Sequence, residues 1–265
     1  MLAALTARSV ARHKGLVAGM AVVLAGFQVL LVAIGASLQR EGLFSQLSAI
    51  IPPTFQAAFG GGLIASFGGL VAFGFFHPVP VLALAVGAAY LASELAGDVE
   101  EGLVDLIAAR PVSRALLVTR SVLATAGMSA ALIALMLAAN RGATILFAPG
   151  GTTARTPGLF LLALNLLAVT WCCGAAGLAI AALMRKRSTA TGGAALVFIA
   201  LYLLNFAAAW WAPARPFARL APFHYYDAMP IMLGTHDPTR DVALLLIASA
   251  VFTAAAYSVY GRRDL

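Results

Sequence analysis

TPGLFLLALNLLAVTWCCGAAGLAIAALM, residues 156–184, contains no Asp, Glu, Lys or Arg. A helix needs about 20 mainly apolar residues to cross a hydrocarbon core of about 30 Å, and this run is longer. Such runs recur. Residues 15–39, 42–93, 121–140, 188–214 and 242–261 are equally free of those four residue types. Hydrophobic residues make up 62% of the 265-residue chain and charged residues 10%, against roughly 25% charged in a soluble domain. A water-soluble fold has nowhere to hide that much apolar surface, so the solvent implied is lipid.

Each charge-free run holds one span. The spans are predicted near 15–36, 75–95, 117–138, 158–183, 190–211 and 242–260. The expected fold class is an all-α membrane protein with six transmembrane helices in one transmembrane domain, residues 1–265. The run 42–93 is long enough for two crossings, but Pro52-Pro53, Gly60-Gly61-Gly62 and Gly68-Gly69 interrupt its first half. Segment 42–74 therefore reads as interfacial or re-entrant. From Val79 to Ser93 the second span is short. Either it begins earlier, with a kink at Pro78 and Pro80, or Glu94 sits inside the membrane boundary. Leu2–Lys14 reads as an amphipathic interfacial helix ahead of the first span. The segment 212–241, rich in Pro, Trp, Phe and Tyr, suits short interfacial helices on the opposite side.

Basic residues set the orientation. With residue 1 in the cytoplasm, the inner segments hold Arg8, Arg12, Lys14, Arg110, Arg114, Arg120, Arg185, Lys186, Arg187, Arg262 and Arg263. The outer segments hold Arg40, Arg141, Arg155, Arg215, Arg219 and Arg240, so the count is eleven against six. This distribution between apolar runs also accounts for the net charge of +7 without nucleic acid as a partner. Cys172 and Cys173 lie inside an apolar run and read as small core residues.

Several motifs are missing from the sequence. It has no G-x-x-x-x-G-K-[ST] phosphate loop and no H-E-x-x-H metal motif. The predicted spans contain almost no ionisable residues, which argues against proton or ion coupling. What stands out is the concentration of acid after the second span. Glu94, Asp98, Glu101 and Asp105 fall at i, i+4, i+7 and i+11, on one face of a helix. On the residues alone two readings stand. The four carboxylates are a solvated helix end that anchors the chain at the surface, or the helix docks on a partner that delivers force.

The stretch Glu94 to Arg120 resembles the first cytoplasmic loop of ABC-2 type transporter permeases. That pattern is a Glu, a Glu-x-Gly-Thr, a small amphipathic run, Pro-Val-Ser-Arg and a further basic residue. Here it reads Glu94, Glu100-Glu101-Gly102, Leu103 to Arg110, Pro111-Val112-Ser113-Arg114 and Arg120, with Leu103 where the family commonly has Thr. The ending Tyr260-Gly261-Arg262-Arg263-Asp264-Leu265 and the six-span layout are similar too. The overall look is closest to the group that includes the nitrous-oxide-reductase maturation permeases.

The resemblance implies a non-catalytic subunit of an exporter in the inner (cytoplasmic) membrane. It would pair with a second permease chain, a like copy or a different one. It would dock on two copies of a separate ABC ATPase subunit. No cofactor is expected in this chain; ATP and Mg would bind the ATPase. A coupling helix in loop 96–114 would use Glu94, Asp98, Glu101, Gly102, Leu103, Asp105, Leu106, Arg110, Pro111 and Arg114. The substrate path would be lined by Asn165 and Thr170 on the fourth span and by Thr191, Tyr202 and Asn205 on the fifth. For each of these five, helix-to-helix hydrogen bonding is the competing reading. Two other functions fit the sequence: a membrane assembly or immunity factor of the same shape, and an intramembrane lipid-acting enzyme. The enzyme would need an ionisable cluster at the surface, and the acidic one lacks histidine.

Overall fold

A computed structural model describes residues 1–46, 66–102, 113–148, 150 and 156–262. Among these residues the regular structure is helical, with no strand. The helices are α1 (Leu2–Arg40), α2 (Phe67–Phe76), α3 (Pro78–Ala92), α4 (Glu94–Glu100), α5 (Arg114–Phe147), α6 (Thr156–Leu183), α7 (Arg187–Trp210), α8 (Arg215–Ala218), α9 (Ala228–Leu233) and α10 (Thr239–Arg262). Two 3-10 turns, Ala212–Ala214 and Pro222–Tyr225, flank α8. Six stretches are long and apolar enough to cross a membrane: α1, the run Phe67–Glu100, α5, Pro157–Leu183 of α6, α7 and α10. The protein is thus a multi-pass helical membrane protein. One end of the bundle carries residues 2–14, α4 and Arg262, and is called here the terminal end. The other carries α8 and α9 and is called the far end.

Two expectations about boundaries change. Leu2–Lys14 is not a separate interfacial helix; it is the first third of the unbroken 39-residue α1. Nothing in the run breaks a helix, and Ser9 and His13 on it are buried against the rest of the bundle. At 1.5 Å per residue α1 is about 58 Å long, well beyond a hydrocarbon core of about 30 Å. The second span also starts earlier than 75. Phe67–Phe76 is helical, with Phe67, Val71, Ala72 and Phe75 buried. Ser66 caps it by accepting the Gly69 N–H at 3.1 Å. The break falls at His77, ahead of Pro78 and Pro80. His77 Nδ1 accepts the Val79 N–H at 3.2 Å and so starts α3. A proline at the first helical position lacks only an N–H that would be orphaned anyway, so the chain bends there rather than ending. Residues 47–65 lie outside the described residues.

α6 is the hub. It packs on α3, α5, α7 and α10 and is the most buried of the six spans. Small residues make this possible. A Cβ on Gly177 would lie 3.0 Å from Ala89 Cα, and one on Gly174 would lie 3.0 Å from the Thr125 methyl. Gly15 and Gly19 on α1 have nothing within 4 Å of a Cβ. The G-x-x-G pair on α6 is therefore a packing seam within the chain, whereas the G-x-x-x-G pair on α1 makes no such contact.

One polar contact ties three helices together away from the ends. Asn140 of α5 donates through Nδ2 both to Gln28 Oε1 of α1 and to the Val71 carbonyl of α2, each at 2.9 Å. Gln28 and Asn140 are fully buried. Gln28→Leu is expected to cost about 0.6–2 kcal/mol, the range for hydrogen bonds between membrane helices. Thermal unfolding in detergent measures it, and an unchanged midpoint would show that the bond contributes nothing net.

Candidate functional site: the acidic helix and its cationic partners

α4 emerges from the second span with Glu94, Leu95, Ala96, Gly97 and Asp98 buried. Arg120, on the first third of α5, reaches this face. Its Nη2 donates to Asp98 Oδ2 at 2.7 Å and lies 3.7 Å from Glu94 Oε2. Side-chain exposure is 7% for Arg120, 4% for Glu94 and 2% for Asp98. At such burial, charges persist only when paired. Arg120 also donates to Ser121 Oγ at 3.1 Å. From α1, Ser9 donates to Glu94, and Arg12 pairs with Glu101 and stands 3.6 Å from Asp98.

α7 closes the cluster from the other side. The Arg187 main-chain N–H, at the first position of α7, donates to Glu100 Oε2 at 2.8 Å. That carboxylate satisfies one of the unpaired N–H groups of a helix start, where negative charge is stabilised. The Arg187 side chain crosses Gly97, where a Cβ would lie 3.3 Å from its Cδ. Its Nε donates to Ser93 Oγ at 3.2 Å, and its guanidinium sits 4.2 Å from the Tyr90 ring centroid, a cation–π contact. Its Nη2 lies 2.6 Å from His13 Nε2, while His13 Nδ1 lies 2.8 Å from the Ser9 carbonyl. A carbonyl only accepts and a guanidinium only donates. These bonds therefore assign the proton of His13 to Nδ1 and the lone pair to Nε2, the neutral tautomer.

Of the residues expected on a docking face, Glu94 and Asp98 are not on a solvated surface. They are buried inside the chain because α5 brings Arg120 to both of them and α1 brings Ser9 to Glu94 and Arg12 to Asp98. Glu101 is half exposed and held by Arg12. Gly102 follows with φ +64, a left-handed conformation that glycine adopts without cost. Arg114 is exposed and donates to the Gly261 carbonyl at 3.3 Å. Leu103, Asp105, Leu106, Arg110 and Pro111 lie outside the described residues. Ser9, Arg12, His13, Ser93 and Arg187 carry the cluster without having been singled out. The one signal for them was basic side chains on other segments at the same membrane level, used above only for orientation.

The five residues expected along a substrate path are dispersed. Thr191 belongs to the terminal end, where its Oγ1 donates to Ser93 Oγ at 3.0 Å. Asn165 is buried and donates to the Tyr225 carbonyl at 3.1 Å. Thr170 is buried within α6. Tyr202 and Asn205 share a cavity, at the far end, with Asp227.

The geometry defines a class: a six-span helical membrane protein whose terminal end is knitted around one acidic helix. No protein-family model matches the chain, and no match is found among curated proteins.

Proposed function

We propose that this chain is the membrane-spanning permease subunit of an ATP-driven transporter, coupled through loop 94–114 to a separate ATPase. The observation that carries this reading is the anchoring of α4. Arg12, Arg120 and Arg187 join it to α1, α5 and α7. A force applied at the loop would thus reach four of the six spans as a rigid displacement. Coupling between sites needs such a contiguous element with two arrangements. The Glu-x-x-x-x-x-Glu-Glu-Gly segment that resembles ABC-2 permeases starts on this anchored helix, and Pro-Val-Ser-Arg follows it in the sequence. In this reading the terminal end is cytoplasmic, the chain works as a dimer, and ATP and Mg bind the partner alone.

The test is affinity purification of the full chain from its native membranes in mild detergent. An ATP-hydrolysing chain is expected to copurify. Glu101→Arg is expected to reduce that recovery at least tenfold. The charge swap Arg12→Glu with Glu101→Arg rebuilds the internal pair, so docking still lost in the double variant locates the defect at the partner. Recovery of no ATPase, or labelling of a cysteine at 101 only from outside the cell, would overturn the proposal.

A further inference from the structure

A cavity of about 180 Å³ opens at the far end between the α2–α3 junction, α7 and the start of α9. Phe76, Tyr202, Phe206, Phe223 and Tyr226 line it together with Asp227, and no Lys, Arg or His does. The walls are held in place. Tyr202 stands edge-on to Phe223 with centroids 5.3 Å apart. The Tyr226 hydroxyl donates to the Phe75 carbonyl at 3.2 Å. Asn205 directs Nδ2 to the Phe223 carbonyl at 3.4 Å, which leaves its side-chain oxygen as an acceptor.

Asp227 has no such engagement. It stands at the N-cap of α9, where aspartate ordinarily accepts a backbone N–H, yet its side chain makes no cap bond. No hydrogen bond or ion pair of its carboxylate occurs among the described residues. Asp227 is exposed at the rim, where partial desolvation pushes its carboxyl above the ordinary value; His236 and His224 act against that shift and Asp241 adds to it. The cavity therefore offers aromatic side chains and oxygen acceptors, one of them a carboxylate that forms no ion pair among the described residues. Ring quadrupoles attract cations over their faces, and quaternary ammonium groups are bound in this way.

We propose that this cavity binds a small alkylammonium group, with its methyls against the aromatic walls and its charge paired with the Asp227 carboxylate. A transport role for the bound group rests on the permease reading above, with alkylammonium compounds as the substrate class. Binding itself does not need the ATPase, so the two readings fail separately. The group could belong to a free molecule or to a choline lipid headgroup.

The probe is choline, titrated by equilibrium dialysis into the full chain in dodecyl maltoside micelles, which are uncharged. Its neutral carbon isostere, 3,3-dimethylbutan-1-ol, has nearly the same shape and no charge. Choline is expected to bind saturably and at least tenfold tighter than the isostere. Asp227→Asn should abolish the difference while the elution profile and unfolding temperature stay those of the parent. Tyr202→Leu should weaken choline at least fivefold. Phosphatidylcholine added to the micelles would compete if the natural source is a headgroup, and would leave choline binding unchanged if it is a free cation. Equal binding of choline and the isostere by the unaltered chain would overturn the proposal without recourse to any variant. So would Asp227→Asn binding choline as tightly as the parent.

Discussion

Arg120→Leu is expected to destabilise the protein by about 3–5 kcal/mol, the cost of removing one partner from a buried ion pair. The pairing is unequal. Two buried carboxylates, Glu94 and Asp98, face one buried guanidinium, with Arg12 lending charge from 3.6 Å. Without Arg120, Asp98 loses its only bond shorter than 3 Å among the described residues, and the cation left beside it there is the partly exposed Arg12. The leucine fills the volume but leaves the desolvated charges. Arg120→Lys should be intermediate, because the shorter side chain keeps the charge but does not carry its ammonium to the place of Nη2, the one nitrogen that donates to both Asp98 and Ser121. Asp98→Leu combined with Arg120→Leu and Glu94→Gln should recover much of the loss, because it removes both sides of the pairing at once. Thermal unfolding of the purified chain in detergent, with the monodisperse fraction as second readout, measures all three. A midpoint for Arg120→Leu equal to that of the parent would sink the account of the cluster.

Gly177→Leu is expected to be nearly as damaging, for a steric reason. Even a single Cβ at this position would stand 3.0 Å from Ala89 Cα, 3.3 Å from Ala89 Cβ and 3.4 Å from Ala92 Cβ. The nearest atom is backbone, so no side chain can swing aside. α3 and α6 would have to separate, and α6 is the helix on which α3, α5, α7 and α10 all pack. Overpacking costs typically about 1–3 kcal/mol and more where the backbone must move. Gly19→Leu on α1 is the matched control, since nothing lies within 4 Å of a Cβ there. It is expected to leave the unfolding temperature within a degree of the parent. Equal effects from the two leucines would refute the seam.

The long charge-free runs, such as 156–184, announced helices and their number, because a bilayer leaves backbone polar groups no partner except the helix itself. The short far-end helices over 212–233 also followed from Pro and aromatic content. Boundaries were less legible. Pro78 and Pro80 marked a kink, but whether the span began before it depended on Phe67–Phe76 burying Phe67, Val71 and Phe75.

The acidic cluster shows the division most clearly. Spacing alone put Glu94, Asp98 and Glu101 on one helical face, since period 3.6 is a local property. It could not say what that face meets. Positions 12, 120 and 187 are far from 94 in sequence, and their approach depends on how four helices pack. The cavity with Tyr202, Asn205 and Asp227 likewise joins residues that carry no common motif. The sequence by itself thus determined the lipid-facing, six-helix character, because hydrophobic length and helical periodicity act within one segment. Only the tertiary structure decided which carboxylates are buried with arginines and that Asp227 has no partner among the described residues. Desolvation and ion pairing are set by neighbours that only packing supplies.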